Sequence, residues 1–219
     1  MNQATPVVRE AEPRWPALAA GLATGVLFYA MPEALTVGPR WLLLIVVAVL
    51  AVPTTIARRM KMYRLNQIFA YATLGLITLA VLSSLGLLVV RLPAHRESPI
   101  ELLVAAAALW VSNVLLFASW YWRLDGGGPN ERDKRGVHTD GAFLFPQMTL
   151  DAQSRREMGE ERWSPGFIDY LFLAFNTSTA FSPTDVPVLS RWAKALMMIQ
   201  SFIALATVAL LAARAVNIL

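Results

Sequence analysis

Hydroxyl side chains crowd into one short run of this sequence. Phe175-Asn176-Thr177-Ser178-Thr179-Ala180-Phe181-Ser182-Pro183-Thr184-Asp185 holds three threonines, two serines, an amide and a closing carboxylate. No histidine adjoins the run, so it lacks the base that would activate a hydroxyl as a nucleophile. A chain of neutral oxygens ending in a carboxylate suits a permeation path better. The candidate pore or filter residues are therefore Thr177, Ser178, Thr179, Ser182, Pro183, Thr184 and Asp185. A plainer role competes with this one. The same hydroxyls can satisfy a backbone that breaks within the membrane, as any re-entrant segment must.

The elements on either side must position that run. Ser164 is a good N-cap, Pro165 suits a first helical position, and Asp169 suits the positive end of a helix dipole. A helix over Pro165 to Thr179 is roughly 22 Å long, short of the ~30 Å hydrocarbon core. Ser190 can cap a second helix, Arg191 to Val216, long enough to span. Short apolar helix, polar turn and long apolar helix together predict a re-entrant loop.

This stretch resembles the pore helix, filter and inner helix of the potassium-channel superfamily. Asp169-Tyr170-Leu171-Phe172 leads into the run as an aromatic-rich pore helix does, and Thr177, Thr179 and Asp185 fall on the threonines and aspartate of T-x-T-[TV]-V-G-Y-G-D. The likeness covers residues 163–219, and it is similar to that of a group of bacterial polytopic membrane proteins carrying the same degenerate motif behind extra helices. It implies a homo-oligomer, a tetramer by preference, because one such loop makes a quarter of a filter. The filter's glycines are replaced by Ser182 and Thr184, and its tyrosine by Pro183. Inward-turned carbonyls need the φ values that glycine supplies, and a β-branched residue and a proline do not supply them. The expected function is a channel-like protein passing ions or small polar solutes without potassium selectivity. The alternatives are a non-conducting membrane scaffold or partner subunit, then an ion-coupled transporter, for which a buried titratable residue is missing.

The rest of the chain fits an all-α integral membrane protein of five transmembrane helices plus one re-entrant half-helix. Of 219 residues, 56% are hydrophobic, and they fall in long blocks. Residues 1–14 read as a disordered polar tail, 15–122 as a four-helix transmembrane region, and 123–164 as a soluble loop with a short surface helix. Residues 165–219 then form the pore-like module. The four upstream segments are Trp15 to Met31, Trp41 to Ala57, Gln67 to Val90 and Pro99 to Trp122. Phe143-Leu144-Phe145-Pro146 should dock on the membrane surface or the bundle, and Thr149 to Arg162 reads as the surface helix.

Asn113, Asn176 and Gln200 are polar residues inside apolar helices, expected to bond between helices or to line a path. Asp125, Glu131 and Asp133 match no metal-ligand order and read as a solvated charge run, and His138 has no visible partner. No catalytic spacing occurs, and cysteine is absent. The expectation is therefore no enzyme, no metal and no cofactor. The net charge of +4 lies beside apolar segments, which favours the bilayer over nucleic acid as partner. Arg58, Arg59, Lys61 and Arg64 share a short loop without acids, placing it and the N-terminus on the cytoplasmic side of the inner (plasma) membrane. Either the loop then dips in from the cytoplasm, opposite to a potassium channel's, or Pro165 to Phe181 crosses a thinned bilayer as a sixth segment; five spans plus a half-helix is the arrangement expected.

Overall fold

The computed structural model describes residues 12–91, 98–135, 138–161, 163–179 and 186–216. Helices α1 (Trp15–Ala30), α2 (Leu42–Arg59), α3 (Tyr63–Arg91) and α4 (Pro99–Leu124) form an up-and-down bundle, with α1 and α3 each packed on both α2 and α4. Three short helices follow: α5 (Pro129–Arg135), α6 (Pro146–Thr149) and α7 (Ala152–Glu157). Then α8 (Phe167–Thr179) and α9 (Arg191–Val216) pack against α4 and each other. Among the described residues four helices are long and apolar enough to cross a membrane: α2, α3, α4 and α9. Helix α1, with 16 residues, falls short of that length. Val49, Val52, Leu79, Phe202 and Leu205 lie exposed on these helices, the pattern of segments that meet lipid rather than water.

The turn between α2 and α3 is tighter than the sequence suggested. Met62 N–H donates to Ala57 O and Lys61 N–H to Arg58 O, the bonding pattern of a Schellman stop. Lys61 takes the left-handed φ of 57° usually left to glycine. Helix α3 consequently starts at Tyr63, four residues before the expected Gln67, and Arg64 belongs to a helix rather than to a loop. Buried Asn66 then locks the corner by donating to Thr54 O at 2.8 Å.

Helix α4 is the spine of the molecule. It begins with a capping box in which Ser98 and Glu101 satisfy each other's backbone amides. It stops at Gly126, Gly127 and Gly128, all with positive φ. A Cβ on Gly128 would sit 2.6 Å from Arg123 O, so only glycine allows the chain to fold back there. The fold-back brings Phe143 and Phe145 into the core, packed on Tyr121, Tyr170 and Trp163. The aromatic patch docks on the bundle. The surface helix is shorter than expected, Ala152–Glu157: Asp151 caps its start by accepting from Ser154 N–H, and Gly159, at a φ of 74°, follows its end.

Candidate functional site

Helix α8 starts at Phe167, two residues later than the capping pattern implied. Asp169 reaches back to accept from Gly166 N–H at 2.7 Å, so its carboxylate, rather than Ser164, satisfies a first-turn amide. The helix begins beside the end of α4, where Phe167 meets the Trp122 ring edge-on at 5.9 Å and Tyr170 bonds Asp125. It ends beside Asn113, eleven residues and so about 16 Å up α4 from Leu124. Its 13 residues span about 20 Å. Beyond Thr179 the next described segment is back where α8 began. Val188 bridges Phe143, Leu144 N–H donates to Pro187 O, and Leu189 N–H donates to Ala142 O. Trp192, in the first turn of α9, packs on the same Phe143 ring.

At the far end of α8 lies a buried polar node. Gln200 Nε2 donates to Ala174 O at 2.6 Å and to Ser178 Oγ at 2.8 Å, while Gln200 Oε1 accepts from the Tyr121 hydroxyl. Asn113 Nδ2 donates to Gln200 O at 3.2 Å and to Ser178 Oγ at 3.5 Å. Ser201 adds a bond to Thr177 O. Three helices, α4, α8 and α9, are thus tied together by neutral groups alone. Two oxygens of the node region are unmatched among the described residues: Asn113 Oδ1 and Ser112 Oγ are buried without a partner. An acceptor left bare in this way costs about 1–3 kcal/mol.

The sequence candidates separate into three groups. Asn113, Gln200 and Ser178 meet in the node. Thr177 and Thr179 spend their hydroxyls on Leu173 O and Phe175 O, one turn back in their own helix, as Thr54, Thr78 and Thr207 also do. Thr177 is buried and Thr179 exposed, and Asn176 makes no side-chain bond among the described residues. Ser182, Pro183, Thr184 and Asp185 lie outside the described residues.

A second cluster, at the end of α4 where α8 begins, corrects the reading of Asp125 as part of a solvated charge run. Asp125 is fully buried. Its Oδ2 accepts from the Tyr170 hydroxyl at 2.7 Å and lies 2.9 Å from His138 Nε2, and its Oδ1 accepts from Ala142 N–H. His138 therefore has a partner after all. Arg132, also buried, holds the backbone oxygens of Trp122 and Asp125 and forks onto both carboxylate oxygens of Glu12 at 2.7 and 2.9 Å. Trp122 Nε1 donates to the same carboxylate, and Arg14 pairs with Asp133. The end of the supposed tail is strapped to the bundle. Nothing in the spacing pointed to Asp125, His138 and Tyr170 together; the one available signal was a carboxylate set at the end of a long apolar helix. The described residues contain no group of three or more acidic or histidine side chains able to hold a metal ion. No protein-family model matches the chain, and no curated protein or solved structure matches it.

Proposed function

We propose that the protein is a channel-like, multi-pass membrane protein whose C-terminal module forms part of an oligomeric pore for ions or small polar solutes, without potassium selectivity. The observation that carries this reading is the path of α8. The helix stops about halfway along α4, and the chain is next found at the end it came from. A helix ending at that depth leaves its last backbone carbonyls at mid-membrane, which a bilayer tolerates only inside protein or along a water-filled path. The negative end of the α8 dipole then points at mid-membrane, beside the bare Asn113 Oδ1, a setting that favours a cation. Ile168, Phe172 and Phe175 form an exposed stripe down the outer side of α8, with exposed Thr179 at its tip, as a surface meeting another copy would require. In this reading five spans and a half-helix cross or enter the inner membrane. The N-terminus and the basic turn at 58–64 are cytoplasmic, and four copies close the pore.

Single-channel recording of the purified chain in planar bilayers tests it. A conductance altered by Thr179→Ala and Asp185→Asn supports the pore, and silence across a range of voltages and salts rejects it. The second reading is a non-conducting scaffold, favoured by the node itself, whose two side-chain amides spend their N–H donors within one chain. Silence in the bilayer together with a stable oligomer would move the assignment there.

A further inference from the structure

Between α1, α2, α3 and α4, at the end where α2 stops and α3 starts, lies a cleft that the polar node does not use. Three guanidinium groups, Arg14, Arg58 and Arg123, stand at its mouth, and its body runs past Ala51 to Val47 on α2 and past Ala70 to Ile77 on α3. From Arg58 to Val47 is eleven residues of helix, so the cleft reaches about 16 Å into the bundle. Its volume is about 100 Å³, room for several groups where one water needs roughly 10–15 Å³.

The charge at the mouth is not balanced by the described residues. Glu12 is shared between the Arg132 fork and Arg14, at 3.4 Å, and Asp133 is taken by Arg14, which leaves two carboxylates against four guanidiniums. Among the described residues Arg123 has only the neutral Asn66 amide, at 3.4 Å, and the Trp122 ring, at 5.0 Å. The Arg58 guanidinium has no hydrogen bond or ion pair among the described residues. Arg14 is only 8% exposed, and its Nε is buried without a partner. Burial holds the Arg14 pKa down to about 10 despite Asp133 and Glu12, with Arg58 and Arg132 pressing the same way. A phosphate among three guanidiniums would satisfy the bare Nε and relieve this repulsion.

The occupant's remaining chemistry is set by the body of the cleft. A free phosphate fills the mouth and leaves the apolar body empty. An amphiphile fills both. The mouth also lies level with the ends of membrane-length helices, where the headgroups of a leaflet lie. The larger cleft at the opposite end of the bundle makes the contrast. Its one guanidinium, Arg40, is already on the Glu33 carboxylate at 3.7 Å and over the Tyr29 ring at 5.5 Å.

We propose that the basic cleft binds an anionic phospholipid, with its phosphate among Arg14, Arg58 and Arg123 and one acyl chain lying along α2 and α3. This holds whether or not the protein conducts. Native mass spectrometry of the full chain in detergent, titrated with phosphatidylglycerol, phosphatidylcholine or inorganic phosphate, tests it. Phosphatidylglycerol should give a one-to-one adduct at concentrations where the other two give none. Arg58→Gln should weaken the adduct about tenfold, the scale of one charge-assisted bond. Arg59→Gln, on the same turn but outside the cleft, should change it less than about twofold. Ala51→Leu, which fills the body and leaves every charge in place, should weaken the adduct as well. Equal binding of phosphatidylcholine, equal loss in Arg58→Gln and Arg59→Gln, full retention in Ala51→Leu, or equal competition by inorganic phosphate would each overturn the proposal.

Discussion

The two polar clusters touched by α8 are built from different chemistry. The node at its tip uses amides and hydroxyls only: Gln200, Asn113, Ser178 and Tyr121. The cluster at its base uses full charges: Asp125, Arg132, Glu12, Arg14 and Asp133. About 16 Å of α4 separates the two. In a bilayer that distance is the difference between the midplane and the interface. A charge at the midplane costs several kcal/mol, whereas at the interface water and headgroups share its solvation. In the proposed re-entrant arrangement, α8 is anchored by ionic contacts where charge is readily solvated and steadied by neutral ones where it is not. That gradient favours placing the base of α8 at the membrane surface without reference to any resemblance.

If this division is correct, breaking the base should cost far more than breaking the tip. Asp125→Ala removes the acceptor shared by Tyr170, His138 and Ala142 N–H and leaves Arg132 with less of its negative field. Losing one member of a buried ionic cluster costs about 3–5 kcal/mol. Thermal unfolding in detergent micelles should show a larger drop for Asp125→Ala than for any single change at the tip. Glu12→Gln comes next. It keeps the side-chain shape but weakens the fork onto Arg132, for an expected loss of about 1–3 kcal/mol. It should also speed proteolysis of the N-terminal strap. A cost for Asp125→Ala no greater than that of a midplane variant would undo the comparison.

Gln200→Leu is the corresponding break at the tip. It strands the Tyr121 hydroxyl and removes both bonds that hold α8 through Ala174 O and Ser178. Hydrogen bonds between membrane helices are worth about 0.6 kcal/mol each on average and rarely above about 1.7. The expected loss of stability is therefore about 1–2 kcal/mol. If the node also positions the residues that follow α8, a cysteine engineered at Ser182 should become more reactive in the Gln200→Leu background. The chain has no native cysteine to obscure that labelling.

Which parts were legible in the sequence follows from the range of the signals. Long apolar blocks announced α2, α3, α4 and α9, and the run from Trp163 onward announced a helix too short to cross. Phe143 as a docking residue was a local pattern, and it is found buried against the bundle. The early start of α3 was hidden because Lys61, not glycine, takes the left-handed turn position. The cluster at the base was hidden for a different reason. Asp125 finds His138 and Tyr170 across 13 and 45 positions, and composition cannot separate a buried carboxylate from its solvated neighbours Glu131 and Asp133. Glu12 and Arg14 read as a tail because polar, proline-bearing stretches usually are one.

The smallest expected effect is also the most informative about the tip. Asn113 donates two bonds, the longer at 3.5 Å, while its oxygen accepts none among the described residues. Asn113→Leu therefore removes one fair bond and one weak one, but it also removes a buried bare acceptor. These nearly cancel, so stability should change by less than about 0.5–1 kcal/mol in either direction. An asparagine kept purely to hold helices together would show a clear loss on replacement, comparable to that of Gln200→Leu. One that leaves an oxygen open to a solute or to water would show little loss in unfolding and a large change in conductance. Measuring both on the same Asn113→Leu preparation separates the two roles: a stability loss matching Gln200→Leu with no electrical phenotype assigns Asn113 to packing, and the reverse pattern assigns it to the path.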